Sequence, residues 1–393
     1  MENQENNAVV KNRDMGNTFM LLFILINLAA QIIIALILYL PQYLPQNLSL
    51  DSSRQSLLID SPWFTAVTQV ACFIFPVLLI LAIKRRNKAH VKMYRPHMIG
   101  FTNFILILLI SVLIQPILML VSGLMTLAFP NPINALLSNF QSVPLYVTLI
   151  VFALTPAICE ELVFRGFILA QYENSNFKKV MFVNGLFFGM IHFSAQQFLY
   201  AFIIGILLAC FVFHTRSLLS SMLAHFTINA TQLVLRHFIV SVDQALPDTQ
   251  TATDTELTLP SLAPFLVLSL FILPLIIILY CHFVFHNRKR NAIKENKAAE
   301  ITNAIESKNT AETPNARTDA RTGAIDSNLA ETPNARTDAR TGVIDSNLAE
   351  TPNARTDART DARTRVIDLY FWIIVAIYAL VIFSIEILPR VIA

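Results

Sequence analysis

Long apolar runs joined by short polar connections fill most of this chain, and one extended polar tract interrupts them before a last apolar run. A helix needs about 20 consecutive apolar residues to cross the hydrocarbon core of a bilayer. Nine runs are candidates, at roughly 18–40, 62–83, 101–128, 144–170, 179–196, 198–214, 217–240, 262–285 and 368–390. The fifth and sixth are short and close together. The pattern predicts an all-α, polytopic membrane protein, a bundle of about eight to nine transmembrane helices carrying a disordered repeat insert. The first run lacks a small-residue cleavage site and is long enough to span, so it reads as a retained helix and not as a signal peptide.

Composition agrees with the pattern. Of the 393 residues, 55% are hydrophobic and 14% charged, which is too apolar for a soluble domain of this size. A net charge of +3 gives nucleic-acid binding no support. Cys72, Cys159, Cys210 and Cys281 lie in apolar runs without CxxC spacing and read as buried thiols.

Basic residues favour cytoplasmic loops. The stretch KRRNKAHVKMYR from Lys84 to Arg95, the HNRKR stretch after the eighth run, Lys178, Lys179 and Arg216 all mark that side. The loop at 241–261 carries Asp243, Asp248, Asp254 and Glu256 with no Lys or Arg, which suits the outside. Alternating spans put each loop on its expected side, with the N-terminus in the cytoplasm. The expected location is a bacterial inner or plasma membrane.

The organisation expected is a cytoplasmic tail over 1–17, transmembrane helices over 18–143, a core over 144–240, an external loop and helix over 241–285, a cytoplasmic insert over 286–367 and a final helix over 368–393. Glu312, Glu331 and Glu350 each begin ETPNARTDART, a tandem repeat with a period of 19. The unit has no apolar face to bury, so disorder is the expectation.

Ionisable side chains inside spans are expensive to keep and mark function by default. The stretch CEELVFRGF, Cys159 to Phe167, puts Glu160, Glu161 and Arg165 in the fourth run. Glu161 and Arg165 are i,i+4 and share a helix face, so they read as a self-neutralising pair. Glu160 is turned about 100° away and is left to face the bundle interior. Phe188 and His192 repeat the spacing in the fifth run, and His225 and Asn229 in the seventh. At 1.5 Å per residue, Glu160, His192 and His225 lie roughly 16, 20 and 12 Å from the basic ends of their helices. Three helices thus bring Glu, His, His and Asn to one layer. Gly185 and Gly189, four apart, predict that the fifth helix packs tightly on a neighbour.

These residues resemble the CPBP or ABI family of intramembrane proteases, the CAAX prenyl endopeptidase type II and bacteriocin-processing group. Its E-E-x-x-x-R motif reads EELVFR here, F-x-x-x-H reads FGMIH and H-x-x-x-N/D reads HFTIN. The likeness covers about 144–232. The resemblance implies a membrane bundle around a water-accessible cavity, with Glu160 activating water, His192 holding it, and His225 and Asn229 forming an oxyanion site. It casts Glu161, Arg165 and Phe188 as supporting residues. The implied substrate is a membrane-associated protein or peptide.

The chemistry is consistent on its own terms, since peptide hydrolysis needs a base for water and donors for the oxyanion. Two His and one Glu are also an accepted zinc set, so Glu160, His192 and His225 leave a metal alternative open, although HExxH is absent. Two other classes stay in view. A non-catalytic immunity or scaffold protein would keep the motifs for folding. A proton-coupled transporter would use Glu and His as a relay, but the paired inverted repeats it favours are not evident. Pro116 and Pro156 read as kinks, and Asn103, Gln115 and Asn184 as polar glue between helices.

Overall fold

A computed structural model describes residues 2–39, 61–86, 92–172, 175–245, 257–311, 367 and 369–392. Among these residues the ordered elements are helices, and eight of them are long and apolar enough to cross a membrane. Lipid offers backbone N–H and C=O groups no partner, so a spanning segment must satisfy them within itself, as a helix does. The protein is therefore an all-α, multi-pass integral membrane protein.

The elements are α1 Glu2–Tyr39, α2 Pro62–Arg86, α3 Phe101–Leu113, α4 Gln115–Thr126, α5 Pro132–Ser138, α6 Leu145–Gln171, α7 Phe177–Met190, α8 Ala195–Thr215, α9 Leu218–Ala245, α10 Ala263–Ala311 and α11 Leu369–Arg390. The chain forms two compact units, 1–284 together with 357–393, and 285–356. The first contains every helix that bears on the site. Its centre is α6, whose most apolar window is 61% buried, against 17% for α2 and α11. Phe19 and Phe23 of α1 pack on Phe167 and Phe164 of α6, and α9 lies along the other flank, where Leu218 touches Gly166. The connection at 92–99 laces the basic ends together. Tyr94 N–H donates to Gly166 O at 2.9 Å, Leu218 N–H to Arg95 O at 3.2 Å, and Ser217 Oγ to His97 O at 2.5 Å.

Two expectations need correction. The fifth run is not one continuous helix. Its helix, α7, has 14 residues, roughly 21 Å at 1.5 Å per residue, short of the ~30 Å hydrocarbon core. The chain turns back at 191–194 and returns as the full-length α8, because Phe193 adopts a positive φ of 45° and Ser194 caps the next helix. Second, the insert is not irregular from residue 286. The helix α10 continues to Ala311, since 286–311 is rich in Ala, Lys, Glu and Asn with no Pro or Gly to end it. The repeats themselves lie outside the described residues. His214, near the end of α8, is buried among Phe177, Phe213, Tyr280 and Phe283.

The expected close approach of the fifth helix is present, and its partner is α8. A Cβ on Gly205 would meet Gly185 Cα at 2.8 Å and Phe188 Cβ at 3.0 Å, while one on Gly189 would meet Phe198 O at 2.9 Å. Gly185 Cα and Phe198 O are backbone and Phe188 Cβ is fixed to it, so none can yield as a flexible side-chain tip would. Gly205→Ala is expected to lower stability by about 1–3 kcal/mol through overpacking. Gly166→Ala, whose nearest foreign atom is a Leu218 methyl at 3.4 Å, is expected to be tolerated. Thermal unfolding of the two variants in detergent reads the contrast.

Candidate active site

The charged stretch sits on a helix that changes its winding twice. Within α6, Ile150–Leu154 and Leu162–Ile168 are π-helical, on either side of the α-helical Thr155–Glu161. Such wide turns are rare and collect at functional sites, because they release carbonyls from the ordinary i→i−4 ladder. Two carbonyls of these segments accept from neighbouring helices. Pro156 has no N–H for the carbonyl four residues back, Phe152, and Asn229 Nδ2 donates to that oxygen at 3.3 Å. Asn184 Nδ2 donates to Phe164 O at 3.1 Å, and Arg165 Nη2 donates to Gly205 O at 3.0 Å.

Arg165 and Glu161 form the ion pair expected from their spacing, with Nη1 to Oε1 at 2.6 Å and both side chains 0% exposed. The reading of Glu161 as merely cancelling Arg165 is too simple, because the same Oε1 also receives His225 Nδ1 at 2.9 Å. An ionised carboxylate only accepts, so Nδ1 carries the hydrogen and His225 presents Nε2 on its other side. Glu161 thus joins α6 to α9 through the imidazole, 64 residues away in sequence.

Glu160 is 7% exposed and its two oxygens differ. Oε1 accepts from Gln69 Nε2 of α2 at 3.3 Å. Oε2 is enclosed and has no hydrogen-bond partner. His192 sits in the turn after α7, with Nδ1 donating to Phe188 O at 2.8 Å, so its Nε2 also faces outward from its anchor. Phe188 is the post between the two imidazoles. Its ring meets His192 at 5.3 Å and 78°, and His225 at 5.7 Å and 83°, while the Arg165 guanidinium lies 4.3 Å above it. Glu160, His225 and Arg165 all lie near enough to His192 to act on it electrostatically.

The four sequence-derived residues are therefore not one hydrogen-bonded chain. His192 and His225 meet at Phe188 and Glu160 is held by Gln69, while Asn229, one turn along α9 from His225, spends one amide hydrogen on Phe152 O and keeps a second. Among the described residues, no three His, Cys, Asp or Glu side chains come together as a cation site.

Sequence reading missed Gln69. Its signal was a carboxamide in an otherwise apolar run, which is costly in lipid without a partner. The Glu386 carboxylate receives the Ala195 N–H. Gln115 does join helices, donating to Ile228 O at 3.1 Å, and Asn103 donates to Ile99 O at 2.9 Å.

Residues 142–231 match the family model described as "Type II CAAX prenyl endopeptidase Rce1-like". The matched stretch starts just before α6 and ends within α9, so it contains Glu160, Glu161, Arg165, Phe188, His192, His225 and Asn229 but neither Gln69 nor Glu386. No curated protein and no solved structure matches the chain.

Removing one partner of a buried ion pair strands the other charge, at a cost of about 3–5 kcal/mol. Arg165→Ala is expected to lower stability by that order. The double variant Glu161→Gln/Arg165→Met, which removes both charges at similar volume, is expected to recover much of the loss. Thermal or denaturant unfolding of the three proteins in one detergent checks this.

Proposed function

From the Rce1-like domain at 142–231 and the polarised Glu160 carboxylate, we propose that this chain is an intramembrane endopeptidase that hydrolyses a peptide bond in a membrane-associated protein or peptide, with Glu160 activating the water. The observation that carries the reading is the asymmetry of Glu160: Oε1 is held by Gln69, and Oε2 is buried without a partner. A buried acceptor left bare in a folded protein calls for an explanation, and a nucleophilic water supplies one.

In this mechanism a water donates one hydrogen to Glu160 Oε2 and the other to His192 Nε2. His192 can accept because its Nδ1 hydrogen is committed to Phe188 O. The water oxygen attacks the carbonyl carbon as its proton passes to Glu160. The oxyanion then takes a hydrogen bond from the second Asn229 amide hydrogen and one from His225 Nε2. His225 can donate there only as the imidazolium, because its Nδ1 hydrogen is committed to Glu161. The Glu161 carboxylate stabilises that cation, as the carboxylate of a catalytic triad does. Collapse breaks the C–N bond, and the proton held by Glu160 passes to the departing amine. Glu161 therefore belongs to the chemistry through His225, and Arg165 fixes Glu161. The burial of Glu160, Glu161, Arg165 and His225 favours such fixed dipoles, which are worth more in a low-dielectric site than in water.

The test uses the full chain in proteoliposomes, with a panel of membrane-anchored fluorogenic peptides that includes a farnesylated CAAX peptide. Glu160→Gln is expected to lower kcat by roughly 10²–10⁴-fold, the range of a lost general base. Asn229→Ala is expected to lower it by roughly 10²–10³-fold, as for an oxyanion donor. The double variant Glu161→Gln/Arg165→Met separates fold from chemistry: it is expected to stay folded and remain inactive. Undiminished hydrolysis by Glu160→Gln sinks the assignment. If instead partner binding or protection of a cell persists in Glu160→Gln while no peptide is cut by wild type, the chain is a non-catalytic member of the same group.

A further inference from the structure

His192 stands in the 191–194 turn, and that turn is held from outside the matched domain. Its backbone is unusual. Phe193 has a φ of 45°, a region that a bulky residue occupies only where surrounding structure over-determines it. Inside the turn, His192 N–H donates weakly to Gly189 O at 3.4 Å and Phe193 N–H to Met190 O at 3.1 Å. These two bonds do not account for the conformation.

Two external grips do. Gln196, the second residue of α8, donates through Nε2 to Ser122 Oγ at 2.9 Å and Thr126 Oγ1 at 3.0 Å of α4. Ala195, three residues after His192, gives its N–H to both oxygens of Glu386 at 3.1 Å each. Glu386 lies on α11, beyond the repeat tract. The contact matches charges, since a carboxylate at a helix N-terminus meets the positive end of the helix dipole. The other charge of α11 is matched in the opposite sense. Arg390 Nη1 donates to Ala128 O, just past the end of α4, and its guanidinium lies 5.2 Å above the Phe129 ring. The winding of α11 changes at the contact, because Phe383–Ile387 is π-helical and contains Glu386. Above it, Tyr378 stacks on Phe198 of α8 at 5.3 Å, and Phe371 meets Phe187 of α7 at 6.0 Å. The last helix thus runs along both arms of the α7–α8 hairpin and grips its tip.

We propose that Glu386 is a positioning residue for the candidate site: by holding the Ala195 N–H it fixes the turn that carries His192, so the helix beyond the repeat tract completes the site. The proposal rests on the reading of His192 as part of that site. It assigns a function to an ionisable residue that would otherwise be an unexplained charge in a span, and it makes correct docking of α11 a condition for activity.

The experiment has two arms on the full chain. The first labels histidines with diethyl pyrocarbonate and reads each site by mass spectrometry, and it needs no turnover. Glu386→Ala is expected to raise labelling at His192 and leave His225, anchored by Glu161, unchanged. Glu386→Gln, which keeps one acceptor, is expected to fall between Glu386→Ala and wild type. The second arm measures hydrolysis of the same anchored peptides. Glu386→Ala is expected to lower kcat by about 10–100-fold, the scale of a displacement near 1 Å at a catalytic group, with little change in KM. Combined with His192→Ala it is expected to add nothing further, as for two residues acting through one position. Wild-type labelling at His192 in Glu386→Ala overturns the proposal, and so does an equal rise at His192 and His225, which marks general loosening. If wild type cleaves no peptide, the peptidase reading fails while the labelling still decides what Glu386 holds.

Discussion

The Glu161 carboxylate is the contact on which the rest of the site depends. It is 0% exposed and receives both the Arg165 guanidinium and the His225 imidazole on one oxygen. A buried charge of this kind is tolerable only when it is paired and hydrogen-bonded. Each partner in turn reaches a different helix: Arg165 donates to Gly205 O of α8 and lies over Phe188 of α7, and His225 belongs to α9. One carboxylate therefore sets the relative positions of α6, α7, α8 and α9. It also anchors the Nδ1 side of the His225 imidazole.

A second constraint comes from lipid. A spanning helix that releases a backbone carbonyl must find it another donor, since water is not at hand. The π-helical segments of α6 release such groups beside Glu160 and Arg165, and Asn229 and Asn184 from neighbouring helices supply donors. The same irregularity that shapes the site thus ties α6 into the bundle. Function and stability share these side chains. Variants that separate the two must remove charge while keeping volume.

Much of the candidate site was legible along the chain because helical spacing is a local property. Residues four apart share a face, so Glu161 with Arg165, Phe188 with His192 and His225 with Asn229 could be grouped without coordinates, and Glu160 could be separated from Glu161. The i,i+4 logic met its limit at the partners. His225 turns to Glu161 and not to its own neighbour Asn229. His192, expected on a crossing helix, stands in a turn, because α7 stops after Met190. The stop did carry a local signal, Ser194 as a helix cap followed by Gln196 and Gln197, but the apolar residues on either side carried the run through it.

By itself the amino-acid sequence determined the class of protein, the spans in outline, the tight packing of the Gly185 helix and the residue types of the candidate site. Each of these follows from runs, periods and small-residue spacing within one segment. Only the tertiary structure decided which oxygen of Glu160 is held and which is bare, which way each imidazole points, and that Gln69 and Glu386 reach the group from helices outside the matched domain. Those contacts join residues 91 and 191 positions apart. No local period encodes such a pairing; it is settled by how the helices pack.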